Sequence, residues 1–255
     1  MNNIIEYIKN NQVENLINEY NTDKESLLEM DEEGITALNL AIIYGNNEII
    51  KYVLKDIPQQ YIEMQRPDHP IIVAIENNNK EIFNLLYHLN INLDIKVKNK
   101  NNLLQTAILS NADDDFLIQL SKKTDPFYEN NRNKDSIVLA LEKNKNNFLM
   151  YLFNNNSIEK FLDKKEYYLK YAIKNSNNFV LEQLIEHQNE NLDELFQIAF
   201  ENKNIIALEK IVSKSDFIPG SLQIRQLVET MCLKYEYEKE QQAALKAFAT
   251  YENFL

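Results

Sequence analysis

The stretch Asp31-Glu-Glu-Gly-Ile-Thr-Ala-Leu-Asn-Leu-Ala-Ile-Ile-Tyr-Gly45, continued by Asn46-Asn-Glu-Ile-Ile-Lys-Tyr-Val-Leu54, sets the reading of the whole chain. Its Ala41 recurs as Ala74, Ala107 and Ala140, each 33 residues after the one before, and each within a similar apolar pattern. A fixed period of that length is the mark of stacked repeats rather than of one globular core.

Four further columns travel with the alanines. Thr36, His69, Asn102 and Asp135 stand at the entry to the first helix of each repeat. Three of them are good N-caps, able to accept a bond from an unpaired backbone N–H, whereas His69 is the weak member. Pro70 follows it at N1, where a missing N–H costs nothing. Leu38, Ile71, Leu104 and Ile137 form an apolar column, and the alanines three residues later allow close packing. The turn that follows needs a left-handed residue, a conformation a β-carbon disfavours by roughly 1–2 kcal/mol; Gly45, Asn78, Asn111 and Asn144 supply it. Second helices come next, with Ile49, Ile50, Val53 and Leu54 matched by Ile82, Phe83, Leu86 and Tyr87 and by Phe148, Leu149, Leu152 and Phe153. Each set makes one buried stripe. In the third repeat Asp115 and Gln119 fall in two of these places, which predicts a helix out of phase by one residue.

Taken together, Gly34-Ile-Thr-Ala-Leu, His69-Pro70-Ile71 (a variant of Thr-Pro-Leu) and Leu89-Asn-Ile-Asn-Leu-Asp-Ile95 resemble the ankyrin repeat. The resemblance implies an all-α fold, an ankyrin-repeat solenoid of helix pairs with short hairpin loops, and a role in protein binding. The hairpin glycine is kept once, as Gly34, with Pro67, Lys100 and Asn133 at its equivalents. That departure predicts fingers shorter or differently turned than the family's after the first repeat.

Beyond Ala140 the spacing contracts: Ala172 follows after 32 residues and Ala199 after another 27. A 27-residue repeat has little room for a finger, so bare helix pairs joined by short loops are expected there. Ile4, Ile5, Ile8, Val13, Leu16 and Ile17 read as an N-terminal capping pair over residues 1–25. After Pro219-Gly220, Leu222, Leu227, Val228, Met231 and Tyr235, then Ala244, Leu245 and Phe248, read as a closing pair over 219–255, with Cys232 in the small-residue column. Such caps shield the ends of a stack. The expected organisation is one array over 1–255, with repeats over 31–213 that shorten after about 160.

A formal net charge of −12 argues against nucleic acid and against an anionic membrane surface as partners. A single cysteine gives no internal disulfide, no apolar stretch approaches a membrane span, and the N-terminus lacks a signal-peptide pattern. These point to a monomer in the cytoplasm. Three scattered glycines exclude a phosphate-cradling loop or a dinucleotide fingerprint. His69, His88 and His187 lie far apart in sequence and show no metal spacing. Asp113-Asp114-Asp115 lacks the pattern of a calcium loop and reads as a helix start. No catalysis, cofactor or metal is expected; a site between repeats using Cys232 or a histidine is the enzymatic alternative.

In the ankyrin family partners usually dock on the concave side, against the finger tips and the exposed face of each first helix. Carried over column by column, the resemblance implies Glu32, Glu33, Ile35, Ile43 and Tyr44 in repeat 1 and Gln65, Arg66, Asp68, Glu76 and Asn77 in repeat 2. Lys98, Asn99, Asn101, Leu109 and Ser110 follow in repeat 3, then Asn131, Arg132, Lys134, Glu142 and Lys143 in repeat 4. Asp31, Glu32 and Glu33 make the first tip acidic, whereas Lys96, Lys98, Lys100, Arg132 and Lys134 make the third and fourth basic. The expected partner is another protein, with an acidic segment steered to the basic tips and an anchor at Tyr44, Ile35 and Ile43. Heavy use of Asn, Lys and Ile, with Tyr235-Glu-Tyr-Glu-Lys-Glu240 and Phe254-Leu255 near the end, resembles bacterial type IV secreted ankyrin effectors. That second resemblance implies secretion into a host cytosol and a host protein as the partner.

Overall fold

The structure, a computed structural model, describes residues 3–55, 57–65, 68–89 and 91–214, with Phe217, Gly220, Leu222, Gln223, Gln226 and Lys239 beyond. Apart from those few residues, the expected closing pair, with Cys232 and the C-terminal export-like letters, therefore lies outside the described residues. The chain divides into two compact units, residues 1–148 and 149–255.

The first unit is built from helix pairs: α1 (Asn3–Lys9) with α2 (Val13–Thr22), and α3 (Ala37–Ile43) with α4 (Asn47–Val53). A short α5 (Gln59–Glu63) precedes α6 (Pro70–Glu76) and α7 (Lys80–His88); then come α8 (Leu103–Leu109) with α9 (Asp114–Ser121), and α10 (Ser136–Glu142) with the start of α11 (Asn146–Asn155). The second unit continues with α12 (Glu159–Leu162), the pair α13 (Lys165–Lys174) and α14 (Asn178–Ile185), and the pair α15 (Leu192–Glu201) and α16 (Ile205–Val212). No strand occurs among the described residues, only an isolated bridge between Met30 and Thr36.

One backbone device recurs at each turn inside a pair. The carbonyl of Tyr7, Ala41, Ala74, Ala107, Ala140, Ala172 and Ala199 accepts a bond at 2.8–3.0 Å from the N–H five residues on. The residue before that donor is left-handed each time: Asn11, Gly45, Asn78, Asn111, Asn144, Ser176 and Lys203. This is the Schellman way of ending a helix, and it satisfies carbonyls that the helix leaves open. Asn79, Asn177 and Asn204 then cap the following helix by accepting from the N–H three residues on. The alanine column is buried because its side chains sit where paired helices meet; Ala74, Ala107, Ala140, Ala172 and Ala199 have no exposed surface.

Asn102 and Asp135 cap their helices as expected, with Asn102 and Gln105 forming a reciprocal capping box, and His69, the weak member by residue type, also caps its helix. Thr36 does not cap with its side chain, although its residue type is the better one. Helix α9 starts one residue later than α7 and buries Phe116, Leu117 and Leu120 with Asp115 in solvent, the predicted phase shift. Val13 and Ile17 of the N-terminal pair are only half-buried, and Tyr20 fills the place beside Leu16 instead.

The expectation drawn from the missing glycines fails in finger 4, which keeps the turn of finger 1, and holds in finger 3, which is turned differently, with Asn99 left-handed (φ 63) beside Lys100. Asp31 N–H bonds to the Ile35 carbonyl at 3.0 Å, and the same bond joins Val97 to Asn101 and Asn130 to Lys134, each at 3.0 Å. Lys100 and Asn133 adopt the left-handed conformation of Gly34, with φ 56 and 52 against 79. Asp31 and Asn130 hold their turns alike, each accepting from the N–H two and four residues on. Arg66 and Pro67 of finger 2 lie outside the described residues. The second unit has no fingers among its described residues: residues 186–191 alone join α14 to α15.

Candidate interaction face

The first helices of the first unit bury nearly every side chain. Ala37 to Ile42, Pro70 to Ile75, Leu103 to Ile108 and Ser136 to Leu141 are all buried. Exposure begins abruptly at the last helical residue: Ile43, Glu76, Leu109 and Glu142, four residues at 33-residue steps. Helix α6 packs on α3 and α8, and α8 on α10. These ends therefore form a row, with Tyr44, Asn77, Ser110 and Lys143 beside them. Ile43 is 41%, Tyr44 52% and Leu109 39% exposed. Met64, at the base of finger 2, is 51% exposed and was not singled out from sequence; its only signal was an apolar side chain in a finger column that is Asp31 in repeat 1 and Asn130 in repeat 4.

Two buried amides tie helix to finger. Asn39 Nδ2 donates to the Asp68 carbonyl at 2.7 Å, and Gln105 Nε2 donates to the Tyr128 and Lys134 carbonyls at 2.7 and 3.1 Å. Residues 39 and 105 occupy one column, and so do 68 and 134. Each amide thus meets the next finger at the same place and gives its own buried N–H groups an acceptor there. Fingers 3 and 4 are further joined by Asn131 N–H to the Asn99 carbonyl (2.9 Å) and by Asn130 Nδ2 to Asn101 Oδ1 (2.7 Å).

These bonds correct part of the expected partner surface. Asn101 and Gln65 are buried, and Gln65 Nε2 donates to the Tyr61 carbonyl at 2.7 Å, so neither presents itself to a partner. Asn99 is half-buried and uses its carbonyl to hold finger 4. Lys134 Nζ pairs with Glu142 Oε1 at 2.5 Å. Lys96 pairs with Asp94 at 2.6 Å and lies 4.3 Å over the Tyr128 ring. Lys98, Lys100 and Arg132 remain exposed at the tips with no ion-pair partner among the described residues. Glu32 and Glu33 are exposed and Ile35 half-buried at the first tip; Lys143 is exposed at the end of α10; Arg66 is outside the described residues.

Asp68 is half-buried beside the exposed Glu76. Partial burial and then the nearby Asp68 charge hold the Glu76 carboxyl above its ordinary range. His69 Nδ1 accepts from Ile71 N–H at 3.3 Å, and Nε2 stands 3.5 Å from Glu63 Oε2. Burial pushes the His69 pKa down, against the raising influence of Glu63.

The fold built from these pairs has counterparts. Residues 4–99 match the family model described as Ankyrin repeats (3 copies). The fold is that of ankyrin repeats. The structure is similar to that of the human ASB11 ankyrin repeat domain, with a TM-score of 0.51 and 11% identity over 89% of this chain and 96% of that one. No curated protein matches the sequence. Ankyrin repeats are in general protein–protein interaction modules.

Among the described residues no group of three His, Cys, Asp or Glu is placed to hold a metal ion, and no helix is long and apolar enough to cross a membrane. The second unit carries an open cleft of about 520 Å³ between α12–α13 and residues 187–190. Its charges are largely engaged: Lys170 pairs with Glu166 and Glu194, both at 2.8 Å, and Lys165 donates to the His187 carbonyl at 2.7 Å.

Proposed function

We propose that this chain is a non-catalytic interaction module that binds another protein on the face formed by its fingers and the ends of its first helices, the side the ankyrin resemblance makes concave. The observation that carries this reading is the row at Ile43, Tyr44 and Leu109. Helices buried at every preceding position present aliphatic and aromatic side chains to solvent at their last turn. Exposed aromatics with aliphatic neighbours are where binding energy concentrates, with about 2 kcal/mol or more lost when one is truncated. Glu32, Glu33, Asp68, Glu76, Lys98, Arg132 and Lys143 surround this row as its polar part, and the tip cations Lys98, Lys100 and Arg132 suit an acidic stretch of the partner.

The test is capture from cell lysate by the intact chain beside a Tyr44→Ala, Lys98→Glu, Arg132→Glu variant, read by mass spectrometry. A protein held by the first and lost by the second supports the face. Equal retention by both would move binding to the second helices or to the second unit. Secretion into a host, with a host protein as partner, has its support in the C-terminal letters, and undiminished export after removal of the last 20 residues would overturn it.

A further inference from the structure

The face is not uniform along its row, and repeat 4 shows what repeat 2 lacks. In repeat 4, the finger residue Lys134 reaches across to Glu142 at the end of α10 and pairs with it at 2.5 Å. The same two columns hold Ile35 and Ile43 in repeat 1, Asn101 and Leu109 in repeat 3, and Asp68 and Glu76 in repeat 2. Repeat 2 therefore places two carboxylates where repeat 4 has an ion pair. Neither side chain has an ion-pair partner among the described residues. Lys98 lines the same 370 Å³ depression as Asp68 without pairing to it.

Apolar groups stand on both sides of this acidic pair. Ile43 and Tyr44 lie one helix before it and Leu109 one helix after, on helices that pack directly on α6. Packed helices are about 8–10 Å apart, and a chain extended as polyproline II advances about 3.1 Å per residue and returns its side chains to the same side every third residue. An extended segment crossing the row thus moves from one helix end to the next in about three residues.

We infer that this row binds a partner segment with a lysine or arginine flanked, three residues away on each side, by apolar side chains, its cation seated between Asp68 and Glu76 as the Lys134 ammonium sits against Glu142. The inference rests on the proposed function and names the partner's chemistry at that face. It adds a basic anchor at repeat 2 to the acidic stretch expected at fingers 3 and 4, and so gives the bound segment a direction along the row.

The probes are fluorescein-labelled peptide pools with leucine fixed three positions to each side of a central residue that is Lys, Ala or Glu, measured by fluorescence polarisation against the full chain. The Lys pool is expected to bind about tenfold more tightly than the Glu pool. Asp68→Asn with Glu76→Gln should bring the two within about twofold. Asp68→Lys, which gives repeat 2 the pair that repeat 4 already has, should abolish the preference while leaving helical content and unfolding unchanged. Tyr44→Ala should weaken all pools alike. Pools that bind without a Lys preference yet weaken with Tyr44→Ala would overturn this inference and leave the proposed face standing. Binding indifferent to both Tyr44→Ala and the carboxylate changes would overturn the face itself, and no binding by any pool would overturn the inference.

Discussion

In residues 1–148 successive helix pairs are linked through fingers, and in the described part of 149–255 they are not, yet both units close every pair with the same turn. The carbonyl of Ala140 in one unit and of Ala199 in the other accepts from the N–H five residues on, at 2.9 Å in both. Finger-bearing pairs are bound to one another through buried amides, Asn39 to the Asp68 carbonyl and Gln105 to the Lys134 carbonyl. Turn-to-turn bonds occur in both units, as from Asn79 Nδ2 to Asn47 Oδ1 at 2.8 Å, but fingerless pairs have them without the finger amides: Asn204 Nδ2 donates to the Ile173 carbonyl at 3.0 Å, and Lys214 Nζ to the Glu186 carbonyl at 3.1 Å. The turn and its alanine are therefore what stacking requires. The finger is an addition, held by a small number of polar side chains, and its tip is left to vary.

If that division is right, its largest signature is Gln105→Ala. Gln105 is fully buried; its Nε2 serves two finger carbonyls and its Oε1 accepts from Asn102 N–H. Truncation takes the donor from the Tyr128 carbonyl and the acceptor from Asn102 N–H beside a cavity, at a cost of about 3 kcal/mol. Hydrogen exchange should show the loss centred on residues 97–134, with 165–212 unchanged. Equal loss of protection in the second unit would break the comparison. Next come Ala140→Leu and Ala172→Leu, one in each unit, both at positions with no exposed surface. Overpacking should cost about 1–3 kcal/mol in each case, read from chemical denaturation. A tolerant Ala172 would mean that the fingerless pairs do not obey the same close packing.

The fold was legible because its demands recur. Ala41 to Ala140 at a fixed step, with Asn or Gly four residues after each alanine, announces a turn that few residues satisfy, and the phase shift at Asp115 was visible as two polar letters in apolar places. Less was legible where the backbone overrides residue preference. Lys100 takes a left-handed turn that its β-carbon disfavours because finger 3 is bonded on both sides, from Val97 to Asn101 and from Asn131 to Asn99. Ser176 and Lys203 do the same at turns whose alanine carbonyl fixes the geometry. The site was only half legible. Ile43, Tyr44 and Leu109 follow from the column, but charge alone did not distinguish Lys134, engaged by Glu142, from Arg132, which is not. Pairing depends on which finger residue faces which helix end, and no single column carries that information.

The strained turns give a smaller effect of opposite sign in two places. Lys203→Gly should stabilise by about 0.5 kcal/mol, because relief of the left-handed β-carbon outweighs the added freedom of glycine in the unfolded chain. Asn144→Ala should cost about 1 kcal/mol, since asparagine tolerates that conformation better. Thermal unfolding of both variants reads the pair. A destabilised Lys203→Gly would mean that the lysine side chain contributes more to the second unit than its exposed position suggests.

The smallest effect is set by pH and separates the units through His69. Its Nδ1 accepts from Ile71 N–H, so the neutral ring carries its proton on Nε2, toward Glu63. Protonation at Nδ1 removes the cap of α6 and charges a buried ring, which is why burial holds the folded pKa below the ordinary 6.5. The unfolded chain then takes up the proton first as pH falls. Stability contributed by the neutral ring is complete above about 6.5 and declines as pH drops from there toward the lowered folded value. His69→Asn, which keeps a capping oxygen without the titration, should lose this decline while matching the wild type near pH 8. Hydrogen exchange at residues 70–76 followed from pH 7 to 5 would show the difference in the first unit, and equal slopes in wild type and variant would assign the acid sensitivity to another group.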